Sequence, residues 1–159
     1  MKQQAPTDVE WDRLTDNLSV CLADLSEDEF LIVSSKAANH FVQFAAQGQF
    51  GMRIEATSNV YVTPPEAVLS ADAYSVMENL GWNSPTGVPG SEPRDPDGSP
   101  NFYLDVAFPV DFKRVAAMAV KTLREIYHIS HPGQLQYKSF GSSGTEIRFP
   151  TLRLKREVG

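Results

Sequence analysis

The chain has 159 residues, one cysteine and a formal net charge of −6, and 42% of its residues are hydrophobic. This length and apolar share predict a single globular domain, residues 1–159, whose core needs no disulfide or metal to hold it. The acidic balance disfavours nucleic acid as a partner, since phosphate binding needs a basic face. The lone Cys21 indicates a reducing compartment, and no apolar run approaches the roughly 20 residues of a membrane span. We therefore expect a cytoplasmic protein with no membrane partner.

The first third of the chain predicts a helix followed by a three-stranded antiparallel meander. Apolar residues recur at helical spacing at Trp11, Leu14, Leu18, Cys21, Leu22 and Leu25. Residues 30–33 form a continuous apolar run, which is typical of a strand buried on both faces. Segments 40–46 and 50–56 alternate, and in the second of them Phe50 falls on the same side as Met52. The connections are short, and short links join antiparallel strands.

A second helix and a long loop follow the meander. Ser70 is placed to cap the helix, and Gly81 stands where a left-handed residue would end it, with Trp82 positioned for a contact back to Met77. Residues 83–100 are rich in Pro, Gly, Asp and Ser and hold too few apolar residues to bury themselves. We interpret this segment as a mobile loop rather than a domain boundary.

The last third predicts a strand, the longest amphipathic helix and two further strands. Residues 102–108 form the strand, and Asp111 is placed to cap the helix that follows. Segments 134–140 and 146–154 read as strands, and Pro150 demotes the last to an edge or a bulge. The predicted fold is therefore α+β, with a mostly antiparallel sheet, a three-stranded meander plus later strands, packed by three helices.

No motif in the chain predicts a catalytic, cofactor or metal site. His128 and His131 are three residues apart, but Pro132 should end the helix between them, and no nearby cysteine or carboxylate completes a metal site. The glycine pair of segment 141–144 lacks the lysine and the following helix of a phosphate loop, so a turn explains it better. Cys21 lies within an apolar helical stripe, where a core position is expected rather than a reactive thiol.

Basic residues gather near the end of the acidic chain. They are Arg148, Arg153, Lys155 and Arg156. A solvated terminal strand is the interpretation that needs the fewest assumptions, since nucleic-acid binding is disfavoured by the net charge.

The order helix, meander, helix, strand, helix is accompanied by short segments spread over residues 28–132. These are Phe30-Leu31-Ile32-Val33, Phe41-Val42-Gln43-Phe44, Glu55-Ala56-Thr57-Ser58-Asn59, Leu80-Gly81-Trp82, Ser99-Pro100-Asn101-Phe102 and Thr122-Leu123-Arg124-Glu125-Ile126-Tyr127. In both respects the chain resembles the type III secretion (Tir) chaperone-like and YbjN-like family, with its TY-Chap type domain. The resemblance implies a small non-enzymatic protein that holds a client segment on apolar patches or sheet edges and often dimerises. It implies no catalytic residue and no cofactor.

Three functional hypotheses follow. The first is a chaperone-like domain that binds a protein or peptide client, with Phe41, Met52 and Tyr103 exposed on the outer faces as a binding patch. The second is an enzyme or small-ligand binder with a pocket between the central helix and the sheet, lined by His40, Arg53 and Tyr103. The third is an immunity or antitoxin-like protein that binds one folded partner.

Overall fold

Six strands form one sheet in the computed structural model, which describes residues 6–37, 40–58, 69–85 and 101–157, with residues 6 and 7 described by their backbone alone. The strands are β1 Phe30–Ser35, β2 Phe41–Ala46, β3 Met52–Ala56, β4 Phe102–Val106, β5 Leu135–Phe140 and β6 Lys155–Arg156. Their order is β4-β3-β2-β1-β5-β6. Every neighbouring pair is antiparallel except β5 and β6, which are parallel. The predicted meander of β1, β2 and β3 is confirmed.

Helices cover one face of this sheet. They are α1 Pro6–Asp24, α2 Ala71–Leu80 and α3 Phe112–Lys121. Helix α1 packs along α3, and their apolar stripes join the inward side chains of the strands in one core. The largest side chains in that core that are almost fully buried include Trp11, Phe44, Phe102, Leu18, Leu22, Met77 and Leu123. The predicted α+β class, with three helices on a mostly antiparallel sheet, is confirmed.

The helix boundaries come from the residues that the sequence marks. Ser70 and Asp111 each accept a hydrogen bond from the backbone N–H three residues later, both at 3.1 Å. Gly81 has a left-handed φ of 112°, and the N–H of Trp82 donates to the carbonyl oxygen of Met77 at 3.1 Å. These are the two N-caps and the C-terminal turn expected from the sequence, and each satisfies backbone groups that a helix end leaves open.

Helix α3 widens after Lys121, although the spacing of apolar residues predicts that a regular α-helix continues there. Beyond α3, residues 122–126 form a π-helical turn, in which the N–H of Tyr127 donates to the carbonyl oxygen of Thr122 at 3.1 Å. The hydroxyl of Thr122 donates to the carbonyl of Met118 at 2.9 Å and accepts the indole N–H of Trp82 at 3.1 Å. Such turns form where a side chain competes for the helical hydrogen bonds, which is the role Thr122 takes.

Strand β1 is buried on one face, and the expectation of burial on both faces is wrong. Leu31 and Val33 are buried, whereas Phe30 and Ile32 are half-buried on the opposite side. An antiparallel strand between two neighbours still has one face turned away from the helices, so a continuous apolar run places apolar side chains on that face too. Phe30 and Ile32 therefore add apolar surface to the side of the sheet that faces away from the helices.

The C-terminal segment departs from the predicted strand. Glu146 makes an isolated bridge to Phe140, and residues 150–152 form a 3-10 turn that begins at Pro150. Only β6 then pairs with the sheet, over two residues. The predicted break at Pro150 is confirmed, because its fixed φ suits the first position of a helical turn and its missing N–H cannot join a ladder.

The predicted loop after α2 falls mostly outside the described residues, which end at 85 and resume at 101. Its first residue, Asn83, pairs with Tyr103 through two backbone hydrogen bonds of 2.8 and 3.2 Å. Asn83 therefore extends the sheet by one residue beside β4.

Candidate functional site

The sheet face opposite α1 and α3, here called the outer face, carries more apolar side chains than a solvent-facing surface needs. Its residues are Phe30, Ile32, Ser34, Phe41, Gln43, Ala45, Arg53, Glu55, Tyr103, Asp105, Gln136, Lys138 and Phe140. Asp105 and Lys138 are exposed and the others are half-buried. A one-sided antiparallel sheet normally shows polar residues on its open face, so the aromatic side chains here make the outer face a candidate interaction surface.

Two aromatic rings lie together on the β1–β5 side of the outer face. The rings of Phe30 and Phe140 stack with centroids 5.3 Å apart, as the register of β1 and β5 requires. The ammonium of Lys138 lies 5.8 Å from the Phe140 ring centre. This corner offers an apolar surface with a cation at its margin.

The β3–β4 side of the outer face is organised by Arg53. Its guanidinium forms two hydrogen bonds with the carboxylate of Asp105, at 2.9 and 3.1 Å, and lies 4.9 Å from the Tyr103 ring centre. The hydrogen bond with Asp105 is the main cause that raises the pKa of Arg53, against the opposing effect of its partial burial. Arg53 therefore stays charged, and it holds the Tyr103 ring in a fixed position on the sheet.

Phe41 is held at the start of β2 by hydrogen bonds to Thr57. The Phe41 N–H donates to the Thr57 hydroxyl oxygen at 2.5 Å, and that hydroxyl lies 3.0 Å from the Phe41 carbonyl oxygen. The buried phenol of Tyr127 donates to the carbonyl oxygen of Thr57 at 2.7 Å. Burial raises the pKa of Tyr127 far above its usual value, so the phenol remains a donor at any physiological pH. Phe41 is thus presented by a rigid backbone.

The structure separates the three predicted binding residues. Phe41 and Tyr103 lie half-buried on the outer face, while Met52 lies on the inner face and is 2% exposed. The expectation that Met52 is exposed is wrong, because it belongs to the alternating set of Ile54 and Ala56 that packs beneath the helices. Partner binding at Phe41 and Tyr103 stays a prediction.

Two exposed phenylalanines at one end of β3 and β4 were missed by the sequence reasoning. Phe50 is 71% exposed, because residues 48–50 form a 3-10 turn instead of the predicted start of β3, and Phe108 is 66% exposed. Met52 pairs with Val106, so continuing this antiparallel register places Phe50 and Phe108 at the same end of the sheet. We call these two residues the aromatic end.

The residues of the alternative pocket do not converge. Arg53 contacts Tyr103 on the outer face, but His40 is 5% exposed and stacks on Tyr127 with ring centroids 4.4 Å apart. His40 precedes β2, whereas the register partner of Arg53 is Ala45, near the other end of that strand. A pocket built from these three side chains is therefore absent from the described part of the chain.

Other candidate centres also stay apart. Across residues 6–37, 40–58, 69–85 and 101–157, no three His, Cys, Asp or Glu side chains are grouped to hold a metal ion. His131 pairs with Glu10, while His128 is exposed and has a left-handed φ of 56°. Burial, with a smaller effect from Asp24, raises the pKa of the Cys21 thiol to about 11. Cys21 is therefore a protonated core residue, as the sequence predicted.

Most of the chain matches the model of one known protein family. Among the residues that the structure describes, no helix is both long and apolar enough to span a bilayer. A family model matches residues 4–141, and its description is TY-Chap3, T3SS (YopN, CesT) and YbjN peptide-binding chaperone 3. The chain belongs to the TY-Chap3 family. No curated protein and no solved structure matches it. The family resemblance stated from short segments of the sequence is confirmed.

The family match places the outer face within the TY-Chap3 domain. Residues 4–141 include α1, α2, α3 and strands β1 to β5, and the match ends one residue after β5. The 3-10 turn at 150–152 and strand β6 lie beyond it. The family is described as a peptide-binding chaperone, so a surface able to hold a peptide is the functional feature expected of this fold.

Proposed function

We propose that this TY-Chap3 protein is a single-domain, non-enzymatic, cytoplasmic chaperone that holds an extended segment of a client polypeptide on the outer face of its sheet. The observation that carries the proposal is the set of half-buried aromatic side chains on that face, on the side of the sheet away from the helices. A client segment with apolar side chains would cover Phe41, Tyr103 and the stacked pair Phe30 and Phe140.

The two edges of the sheet are less accessible to a client strand than its face. At β4, the N–H and carbonyl of Tyr103 already pair with Asn83. At the other side, β5 is covered by β6 and by Ile147, whose N–H donates to the carbonyl oxygen of Ser139 at 2.8 Å. Pairing with β4 at Tyr103 or with β5 would require these bonds to break first, and the edge strand β6 is only two residues long. Side-chain anchoring on the face is therefore favoured over strand addition.

The polar residues of the outer face indicate how a client would be oriented. Gln43 and Glu55 face each other across β2 and β3, between the aromatic residues at the two sides. They separate the two apolar sides of the face and add no apolar contact of their own. Two apolar sides around a polar middle suit a segment whose apolar residues are spaced rather than continuous.

Replacing Phe41 with aspartate tests this surface. We expect the affinity for peptides selected from a phage-displayed random library to fall at least about tenfold, which is 1.4 kcal/mol, because an apolar anchor becomes a charge. Fluorescence anisotropy with a labelled selected peptide gives the affinity, and thermal unfolding monitors the fold. Because Phe41 is only half-buried, the melting temperature of the variant should fall by no more than about 5 °C, and the variant should remain folded.

Gln43→Asp provides the matched control. It adds the same charge to the same strand and face but removes no aromatic ring. Its affinity should change by less than about twofold, within the range of an exposed charge contact. Equal affinities for both variants and the wild type would contradict the proposal, as would a library that enriches no peptide. Unfolding of Phe41→Asp would instead mean that Phe41 serves the core.

Association of two copies is a second part of the proposal. The aromatic end exposes Phe50 and Phe108 at one end of the sheet, and exposed aromatic side chains there are better covered by a second chain than by water. We expect sedimentation equilibrium to give a dimer for the wild type and a monomer for the double variant Phe50→Ser, Phe108→Ser. A wild type that sediments as a monomer at all concentrations would contradict dimerisation and leave the client surface unaffected.

A further inference from the structure

A second surface lies on the opposite side of the molecule from the aromatic residues of the outer face. Helix α1, the segment 131–135 and the C-terminal segment 150–155 enclose a groove of about 1040 Å³. Its charged rim consists of Arg13, Lys36, Arg153 and Lys155, with Glu10 as the single carboxylate. The chain as a whole carries a net charge of −6, so this cluster of four cations reverses the prevailing sign.

The cations of the rim are available to a ligand. Within the described residues, Arg13, Arg153 and Lys155 form no ion pair and no side-chain hydrogen bond. Lys36 donates one hydrogen bond, to the carbonyl oxygen of Gly133 at 2.9 Å, and keeps two further donor positions. The late basic residue Arg156 differs, because its guanidinium lies 2.7 Å from the carboxylate of Glu146. The basic residues predicted to lie on a solvated terminal strand thus have two different settings. Arg156 forms an ion pair with Glu146, whereas Arg153 and Lys155 line the groove.

The one carboxylate of the rim is already engaged. Glu10 contacts Nε2 of His131, and Nδ1 of the same ring accepts the N–H of Gly133 at 2.8 Å. A ring that accepts at Nδ1 and donates at Nε2 is the neutral tautomer, so this arrangement needs no charge on His131. Because the ring is neutral, Glu10 keeps its negative charge, and the rim holds four cations against one carboxylate.

The floor of the groove is apolar. Leu14 of α1, Leu135 of β5 and Leu152 of the 3-10 turn form its base and are each at most 3% exposed, while Pro150 and Leu154 supply the apolar surface that a ligand can contact. Arg153 has a left-handed φ of 56°, which turns the chain directly after Leu152. The turn separates the exposed side chain of Arg153 from the buried side chain of Leu152. A cationic rim above an apolar floor matches a ligand that presents carboxylates and apolar side chains together.

We propose that this groove binds an acidic stretch of the client polypeptide, an inference that rests on the peptide-binding function proposed above. The volume is at the upper end of the roughly 300–1,000 Å³ of small-molecule sites, which is far more than one inorganic anion fills. The net negative charge of the chain disfavours a nucleic acid, whose phosphates extend well beyond four cations. Arg153 and Lys155 lie after residue 141, so half of the rim comes from chain outside the family match.

A pair of labelled peptides tests the inference on the full chain. One is a dodecapeptide in which glutamates alternate with leucines and serines, and the other has glutamine at every glutamate position. We expect the acidic peptide to bind roughly tenfold more tightly in fluorescence anisotropy, and its advantage to shrink with added salt as surface charges are screened. Arg153→Glu should weaken the acidic peptide roughly fivefold and leave the glutamine peptide unchanged.

Arg148→Glu is the matched control, since it makes the same charge change on the same segment outside the groove. It should alter the affinity for the acidic peptide by less than about twofold. Equal binding of the two peptides, or equal effects of the two variants, overturns the inference while leaving the outer-face proposal to the Phe41→Asp test. An oligothymidylate that binds as tightly as the acidic peptide and competes with it also overturns the inference, in favour of a nucleic-acid site. Binding of neither peptide overturns it as well, and the selected library peptides then decide the outer-face proposal separately.

Discussion

Gly51→Ala should lower the free energy of unfolding by about 4 kcal/mol, a large effect for the addition of one methyl group. A β-carbon built on Gly51 would lie 1.9 Å from the carbonyl oxygen of Val106 and 3.0 Å from the carbonyl carbon of Ala107. The obstacle is backbone, which cannot rotate aside. Gly51 also has φ 101° and ψ −133°, a backbone conformation that residues with a β-carbon rarely adopt. Alanine would therefore force β3 and β4 apart at the aromatic end.

Gly141→Ala is the control for this substitution. A β-carbon at Gly141 meets nothing within 4 Å, and that residue has no left-handed φ. We expect its melting temperature to stay within about 2 °C of the wild type, whereas Gly51→Ala should fall by roughly 10 °C. Thermal unfolding followed by circular dichroism gives the two melting temperatures, and urea unfolding gives the two free energies. A Gly51→Ala variant as stable as Gly141→Ala would mean that the turn before β3 is built differently.

Phe44→Ala should cost about 3 to 5 kcal/mol, because it empties the centre of the core. Phe44 is fully buried on the inner face of β2, directly between Leu31 of β1 and Ile54 of β3. Neither neighbour can move to fill the space, since each is fixed by its own strand register. Urea unfolding gives the loss, which should appear as a lower midpoint with an unchanged slope.

Phe41→Ala is the comparison that makes this result informative. Phe41 has the same side chain on the same strand but on the outer face, where it is half-buried. Its replacement should cost about 1 kcal/mol, in proportion to the smaller apolar area removed from water. Similar losses for the two variants would show that the outer face is covered in the free protein, and would argue against its use as a client surface.

Much of this fold was open to prediction from local signals in the sequence. The caps at Ser70 and Asp111 and the turn at Gly81 are decided by groups within a few residues, so their chemistry is visible in the sequence. The alternation in β2 predicts that Phe41 and Phe44 lie on opposite faces of the sheet, and the structure agrees, because a pleated strand has a period of two. The family assignment followed from the same elements in the same order.

The candidate surface was predictable only in part. Phe41 and Tyr103 were identified, but Met52 was placed on the wrong side and Phe50 was placed in a strand. Alternation fixes which residues share a face and leaves open which face the helices cover. Phe50 was missed because the chain turns at Gly48 and Gly51, where the close approach of Val106 imposes a backbone that no periodicity signals.

The sequence by itself determined the three helices, strands β1 to β5, the caps and the family of this protein, since all of these depend on neighbours close along the chain. The tertiary structure alone decided which sheet face is turned from the helices, where the π-helical turn at 122–126 interrupts the central helix, and which basic residues meet. Arg13 and Arg153 are far apart in the sequence and line one groove because β6 pairs with β5 beside α1. Such contacts between distant segments form only when the chain packs into its tertiary structure, so the sequence alone does not show which charged residues lie together.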